Sequence, residues 1–234
     1  MSAALAGPPL AIDDPGILEP GQWEIIVATA AEYRSSVDSY ELPISDNSYG
    51  LTENTQLSFV VARQVLYPDE GGETQSDWGF GEVGYKWRFY NDNGVQLALS
   101  PVYSFALSDS SKRRGIIDDI NVLNIPLVGS LEIADWTFGA QLAYAITSVS
   151  TNAWDYGISA AYPIIEPLQL LLEVYGAADD NFDNSVLNYH VGLDYAITPA
   201  AHVLFAIGSD INSDLPSEEK LDYNFYLGLQ FFTE

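Results

Sequence analysis

His190 and His202 are the only imidazoles in the 234-residue chain. A hydrolase site would need one of them within hydrogen-bond reach of a serine, with a third group orienting the ring. No recognisable nucleophile motif accompanies either. Two acidic stretches share a spacing that suits a hard cation. "DDNFD" holds Asp179, Asn181 and Asp183, and "DINSD" holds Asp210, Asn212 and Asp214. Calcium loops begin with alternating oxygen ligands. Neither stretch has the glycine or the distal Glu of an EF-hand. A solvated acidic loop is one reading, and weak Ca²⁺ or Mg²⁺ binding is the other; no other cofactor is expected. A third set consists of polar groups at alternate positions of apolar segments: Glu24, Glu32, Glu41, Glu82, Lys86, Arg88, Asp155, Glu173, His190, Asp194 and Asn224. Paired, such groups brace a wall. Unpaired carboxylates lining a pore favour cations.

The segments that must position these groups repeat with a period of two. In "DWTFGAQLAYAITSV" (135–149), Trp136, Phe138, Ala140, Leu142, Tyr144 and Ile146 share one face of a strand. Thr137, Gly139, Gln141, Ala143, Ala145 and Thr147 share the other. About twelve such segments run from residue 22 to 232, among them 37–50 with Tyr40, Leu42 and Ile44 on its apolar side. Tight connections at 51–54, 91–94, 133–135, 166–167 and 198–200 alternate with mostly longer, acidic ones. The long connections are 67–78, 108–118, 178–184 and 211–219. Residues 1–21 hold four prolines at 8, 9, 15 and 20 and predict an extended lead-in. "ALA" at 4–6 is either the end of a leader cleavage site or an ordinary disordered start.

Composition narrows the class. Lys and Arg number 8 against 33 Asp and Glu, a formal net charge of −25, which disfavours a nucleic-acid partner. There is no cysteine. No run of about 20 apolar residues exists, so no transmembrane helix is predicted. The strands, at roughly 10–14 residues, exceed the usual strand of a globular sheet and suit a tilted crossing of a bilayer. Aromatics gather at strand ends: Trp23, Phe89, Trp136, Tyr162, Tyr195 and Phe231 near the tight turns, and Tyr33, Tyr40, Phe105, Trp154 and Tyr223 near the long loops. Two such girdles around an aliphatic band mark lipid contact. Glycines, small residues and ionised groups occupy the other face, which suits a polar interior. The expected fold is therefore all-β, a transmembrane antiparallel up-and-down β-barrel of about 12 strands. Barrel closure follows because an open edge in hydrocarbon leaves backbone groups unpaired. A soluble β-sandwich or lipocalin-like barrel is the competing fold. Residues 22–234 form the barrel in this reading. Residues 1–21 are a periplasmic tail or a lumen-filling segment.

Short motifs add a resemblance. "GPPLAIDDPGILEPGQWEI", the turn Tyr49-Gly50-Leu51-Thr52 and the Lys86-x-Arg88-Phe89 strand end resemble the bacterial outer-membrane β-barrel transporter family of the meta-pathway phenol-degradation type. The aromatic-ended last strand resembles the C-terminal strand of outer-membrane proteins. The resemblance implies a bacterial outer-membrane location among lipid and lipopolysaccharide, with folding by the barrel-assembly machinery. It implies no catalytic residues.

The leading functional expectation is a channel for passive diffusion of small molecules, aromatic or hydrophobic compounds among them, through a cation-preferring acidic lumen. A non-conducting structural or interaction barrel with a filled lumen is the alternative, and a membrane-embedded hydrolase a more distant one. The outer loops extend the acidic set with Asp69, Glu70, Glu73, Asp77, Asp179, Asp180, Asp183, Glu218 and Glu219. Lys112, Arg113 and Arg114 oppose it on one loop. Divalent ions held by the acidic loops would bridge lipopolysaccharide phosphates.

Overall fold

A computed structural model describes residues 7–68, 72–148, 151–217 and 219–233. The elements are β1 (Trp23–Arg34), β2 (Val37–Thr52), β3 (Thr55–Pro68), β4 (Gln75–Asp92), β5 (Val95–Leu99), β6 (Val102–Ala106), α1 (Asp109–Arg113), β7 (Val122–Ile133), β8 (Trp136–Thr147), β9 (Ala153–Ile165), β10 (Leu168–Asp179), β11 (Ser185–Thr198), β12 (Ala201–Ser213) and β13 (Leu221–Phe232). Neighbours in sequence pair antiparallel, and β13 returns to pair with β1 from Glu24↔Phe232 to Tyr33↔Tyr223. β5 and β6 both pair with β4 and β7, so they are two halves of one stave interrupted at Ser100–Pro101. Pro101 has no N–H to give the ladder. The result is a closed antiparallel barrel of twelve staves, as the sequence pattern predicted.

The faces sort as the alternation in β8 predicts. Phe138, Leu142 and Ile146 are exposed on the outside, Leu142 to 50%, while Ala143 and Ala145 are buried inside. The same outward band holds Val27, Val83, Leu127, Ile158 and Leu227. Cross-strand aromatics mark both rims. Trp136 packs on Tyr162 at 4.8 Å near the tight turns, and Tyr33 stacks on Tyr223 at 4.2 Å near the long loops. Short turns face the periplasm in barrels of this kind and longer loops face outward. One tight turn places Asn93 (φ 51°) and Gly94 (φ 75°) in the left-handed region, as a two-residue type I′ hairpin requires.

Three local expectations need correction. Ile44 faces inward, not lipid, and is buried against Ile26 and Leu204. The register shifts between Glu41 and Ile44, so the bulge at Leu42–Pro43 inverts the phase of the following residues. Leu42 stays outside, exposed to 52%. The long connections at 67–78 and 211–219 are shorter than expected, because β4 begins at Gln75 and β12 extends to Ser213. Asp77, Asn212 and Ile211 therefore lie in strands. Finally, the connection at 108–118 contains a helical turn, α1. Ser108 caps it through Ser110 N–H, Asp109 opens it, Lys112 and Arg113 end it, and Gly115 follows with φ 68°. That order of cap, acid, base and glycine was legible in "SDSSKRRG". Asp69, Glu70 and Glu218 of the outer-loop acids, and residues 1–6, lie outside the described residues.

Candidate functional site

The inward face has two chemistries. On one sector Ile26, Ala28, Ile44, Ala62 and Leu204 pack together, with Val60 and Tyr226 against them. The expected interior held glycines, small residues and ionised groups; this sector adds large apolar side chains, partly because of the phase change at Leu42–Pro43. The remaining sectors carry the polar groups.

Between these walls residues 7–21 make their contacts with inward-facing side chains. Both carboxylate oxygens of Glu173 on β10 accept backbone hydrogen bonds, from Ala11 N–H at 2.9 Å and Ile12 N–H at 2.8 Å. On the other side of the ring, Lys86 on β4 donates to Asp13 Oδ1 at 2.8 Å and lies 3.9 Å from Asp14. Ser100 Oγ donates to Asp13 Oδ2 at 2.6 Å, and Asp13 N–H donates to Gln141 Oε1 at 2.9 Å. Leu18 N–H reaches Gln56 Oε1 at 3.2 Å, and Gly21 N–H reaches the Gly50 carbonyl at 2.8 Å. Prolines and turns leave such a segment with few backbone partners of its own, so wall side chains supply them.

Apolar contact completes the fit. Ile12 is 2% exposed, and Leu10 is buried against Ala161 and Leu171. The small residues of the inward face make the room. A Cβ on Gly157 would stand 2.5 Å from Ile12 Cγ2, and one on Gly50 would stand 2.1 Å from the Glu19 carbonyl oxygen.

The eleven groups singled out from the sequence fall as follows. Glu173, His190 and Asn224 come together: His190 Nδ1 lies 2.9 Å from Glu173 Oε2, and Nε2 lies 3.0 Å from Asn224 Nδ2. Tyr175 joins them, its hydroxyl 3.3 Å from His190 Nε2. Asp194 pairs with His202 Nδ1 at 2.7 Å. Glu24 accepts from Gln230 at 2.6 Å, Glu82 from Ser104 at 2.8 Å, and Glu32 pairs with Arg34 at 2.8 Å. Arg88 sits near the tight turns, donating to Gln96 at 3.0 Å and the Glu53 carbonyl at 2.9 Å. Glu41 is half-buried opposite Ala30. Asp155 lines a cavity of about 220 Å³ with Ile12, Asn124, Gln141 and Asn188.

Sequence reasoning missed Asp46, which shares the inward face with Ile26, and the acceptors Gln56 and Gln141. The bulge hid Asp46, whereas Gln141 was placed inward but given no role. Among the described residues, Asn124 Oδ1, Asn188 Oδ1 and Asp210 Oδ2 are buried acceptors without a hydrogen-bond partner. The described salt bridges leave Glu24, Glu41, Asp46, Glu82 and Asp155 without a cation.

The two calcium-like stretches do not gather their oxygens. Asp179 accepts from Asp183 N–H and Asn184 Nδ2, both at 2.9 Å, which closes its own turn. Asp214 accepts from Ser185 Oγ at 2.8 Å, while Asp210 and Asn212 lie in β12. Among the described residues no three His, Cys, Asp or Glu side chains converge on a metal-sized site. The described partners of the histidines include no serine or threonine hydroxyl: His190 has Glu173, Asn224 and Tyr175, and His202 has Asp194.

No protein-family model matches the chain, and no curated protein does. The resemblance to the phenol-degradation type thus rests on the short motifs alone. Solved structures do match. An outer membrane channel from Pseudomonas putida F1 superposes with a TM-score of 0.71 at 10% identity, covering 96% of this chain and 100% of that one. The KdgM porin, seen in complex with disordered oligogalacturonate, gives 0.55 at 12% identity, with 88% and 98% covered. The translocator domain of the autotransporter NalP from Neisseria meningitidis gives 0.54 at 10%, with 91% and 89% covered. At these identities the likeness is one of fold, and the fold of this chain is that of the bacterial outer-membrane β-barrels.

Proposed function

We propose that this protein is a bacterial outer-membrane channel for passive diffusion of small molecules, cation-preferring and closed at rest by its N-terminal segment. One observation carries the reading. The segment is held in the ring by side-chain hydrogen bonds and by the ion pairs of Lys86 with Asp13 and Asp14, around which stand inward carboxylates that take part in none of the described salt bridges. A barrel of twelve staves is wider than the eight-stave barrels whose interiors side chains fill. Residues 7–21 supply the missing filling here.

Unpartnered acceptors at Asn124, Asn188 and Asp210 suit a solute rich in donors, and the sector of Ile26, Ile44 and Leu204 suits an apolar or aromatic part. The short-motif resemblance supports the aromatic class. The fold matches channels and porins, which supports a non-enzymatic role. The aromatic-ended β13 is the feature that assembly machinery would read. A permanently filled, non-conducting barrel is the second reading, favoured by how completely Ile12 is buried. Single-channel recording of the refolded chain with and without residues 1–21 separates the two. Conductance that rises on deletion supports the channel, and silence from both folded forms supports the filled barrel.

A further inference from the structure

From Gly115 to Glu219 the chain contains no Lys or Arg. That stretch supplies β7 to β12, half of the barrel wall. Two inward carboxylates of this half, Glu173 and Asp194, have histidine partners. Asp155 and Asp210 take part in none of the described salt bridges. Asp155 lines the cavity of about 220 Å³, together with Asn124 on β7, Tyr175 on β10 and Asn188 on β11, and Ala11 and Ile12 form its floor. Asn124, Asp155 and Asn188 stand near the long-loop ends of their strands. Ile12 sits lower, against Gly157 and Glu173, so the cavity lies on the outer side of the N-terminal segment.

The groups here with open hydrogen-bonding capacity are acceptors. Asn188 is 8% exposed, and its Oδ1 has no hydrogen-bond partner. Asn124 hydrogen-bonds to Asp155, and its own Oδ1 has no partner either. The same holds for Oδ2 of Asp210, in register with Asn188. The Tyr175 hydroxyl is already engaged with His190 and Asn224. A buried acceptor is costly until a donor meets it. A bare metal ion does not suit the site, because among the described residues no three acidic or histidine side chains converge on one point. A primary ammonium does suit it, since it carries three N–H donors on one positive centre, as the lysine head group does. Ile12, Ala177 and Val186 give its carbon chain an apolar side. Asp180 and Asp183, in the loop between β10 and β11, add negative potential at this mouth and draw cations toward it.

We propose that this cavity binds small primary alkylammonium ions, with Asp155 taking the charge, Asn124 and Asn188 the N–H groups, and Ile12, Ala177 and Val186 the alkyl chain. The site deepens the channel reading and rests on it, as the place where a solute is received while the segment is closed. The test is a ligand-observed NMR titration of the refolded full chain in detergent with n-butylammonium, beside tetramethylammonium and uncharged 1-butanol. Butylammonium should bind roughly tenfold more tightly than either, since it alone brings charge-assisted N–H donors. Asp155→Asn should remove that preference, and Asn188→Ala should reduce it. Asp92→Asn, which alters an exposed carboxylate at a tight turn, should leave it unchanged. Heat-modifiable migration shows whether each variant is folded. Equal affinity for butylammonium and tetramethylammonium, or a preference that either cavity variant leaves intact in folded protein, would overturn the site. Conductance of the chain lacking residues 1–21 tests the channel separately. Silence from that form, with butylammonium binding intact in the full chain, would support the site and overturn the channel, and conductance without such binding would do the reverse.

Discussion

Asp13 and Lys86 meet inside the barrel, Oδ1 to Nζ at 2.8 Å, the first from the N-terminal segment and the second from β4. Glu173 holds the adjoining residues Ala11 and Ile12 from the other side of the ring. The segment is thus pinned at two well-separated points, and each pin joins groups far apart in sequence.

Lys86→Met should loosen the segment. It removes the charge-assisted bond and leaves Asp13 and Asp14 facing each other without a cation. The segment's docking should weaken by about 1.5–3 kcal/mol, the range for hydrogen bonds involving charge. In single-channel records this should appear as more frequent openings. Unaltered traces from folded protein would mean that the ion pair does not hold the closed state.

Glu173→Ala should act similarly from the opposite wall, because it leaves two backbone N–H groups without acceptors. Glu173→Gln retains one oxygen and should have the smaller effect. Trypsin cannot report this, since residues 7–21 contain no Lys or Arg. A protease that cleaves after Asp or Glu can, and the segment should be cut faster in Glu173→Ala than in Glu173→Gln. Equal protection in all three proteins would contradict the role given to Glu173.

Gly50→Ala should displace the end of the segment without opening the barrel. The new Cβ meets backbone oxygens of Leu18 and Glu19, which cannot rotate aside as a side chain can. Faster cleavage within residues 7–21 by a protease of broad specificity such as proteinase K, with unchanged heat-modifiable migration, is the expected pair of results, because Pro20 shields the bond after Glu19. Native protection would show that the backbone shifts at little cost.

Leu142→Arg should cost roughly 2–4 kcal/mol in a urea titration in lipid vesicles, as for a charge near the bilayer midplane. Gln141→Arg should cost the barrel less, since its side chain faces the lumen beside Asp13. The reverse order would invert the assignment of the two faces.

The period-two pattern made the barrel legible because lipid outside and small or polar groups inside leave opposite marks on alternate residues. β8 could be read residue by residue. β2 could not, because a bulge at Leu42–Pro43 changes phase without changing composition, and so hid the inward positions of Ile44 and Asp46. α1 was missed although Ser108, Asp109 and Gly115 signal it; five residues are too few for a periodic face. The contacts of residues 7–21 were illegible for a different reason. Ala11 and Ile12 bind Glu173 through their backbone N–H groups, and every non-proline residue has one. Only the barrel's closure brings Glu173 across some 160 residues to meet them.

The reversal potential and conductance of the refolded barrel in a KCl gradient, with residues 1–21 present and deleted, separate an occluded cation channel from a filled barrel. Glu24, Glu41, Asp46, Glu82 and Asp155 line the wall and take part in none of the described salt bridges, and Lys86 loses Asp13 and Asp14 when the segment goes. The full chain should show low conductance. Deletion should raise it and give a reversal potential that favours K⁺ over Cl⁻, because these five carboxylates outnumber the freed lysine and Arg88, which also takes part in none of the described salt bridges. Asp46→Asn with Glu82→Gln should then weaken the preference. Identical conductance with and without the segment, or anion selectivity after deletion, would contradict the account.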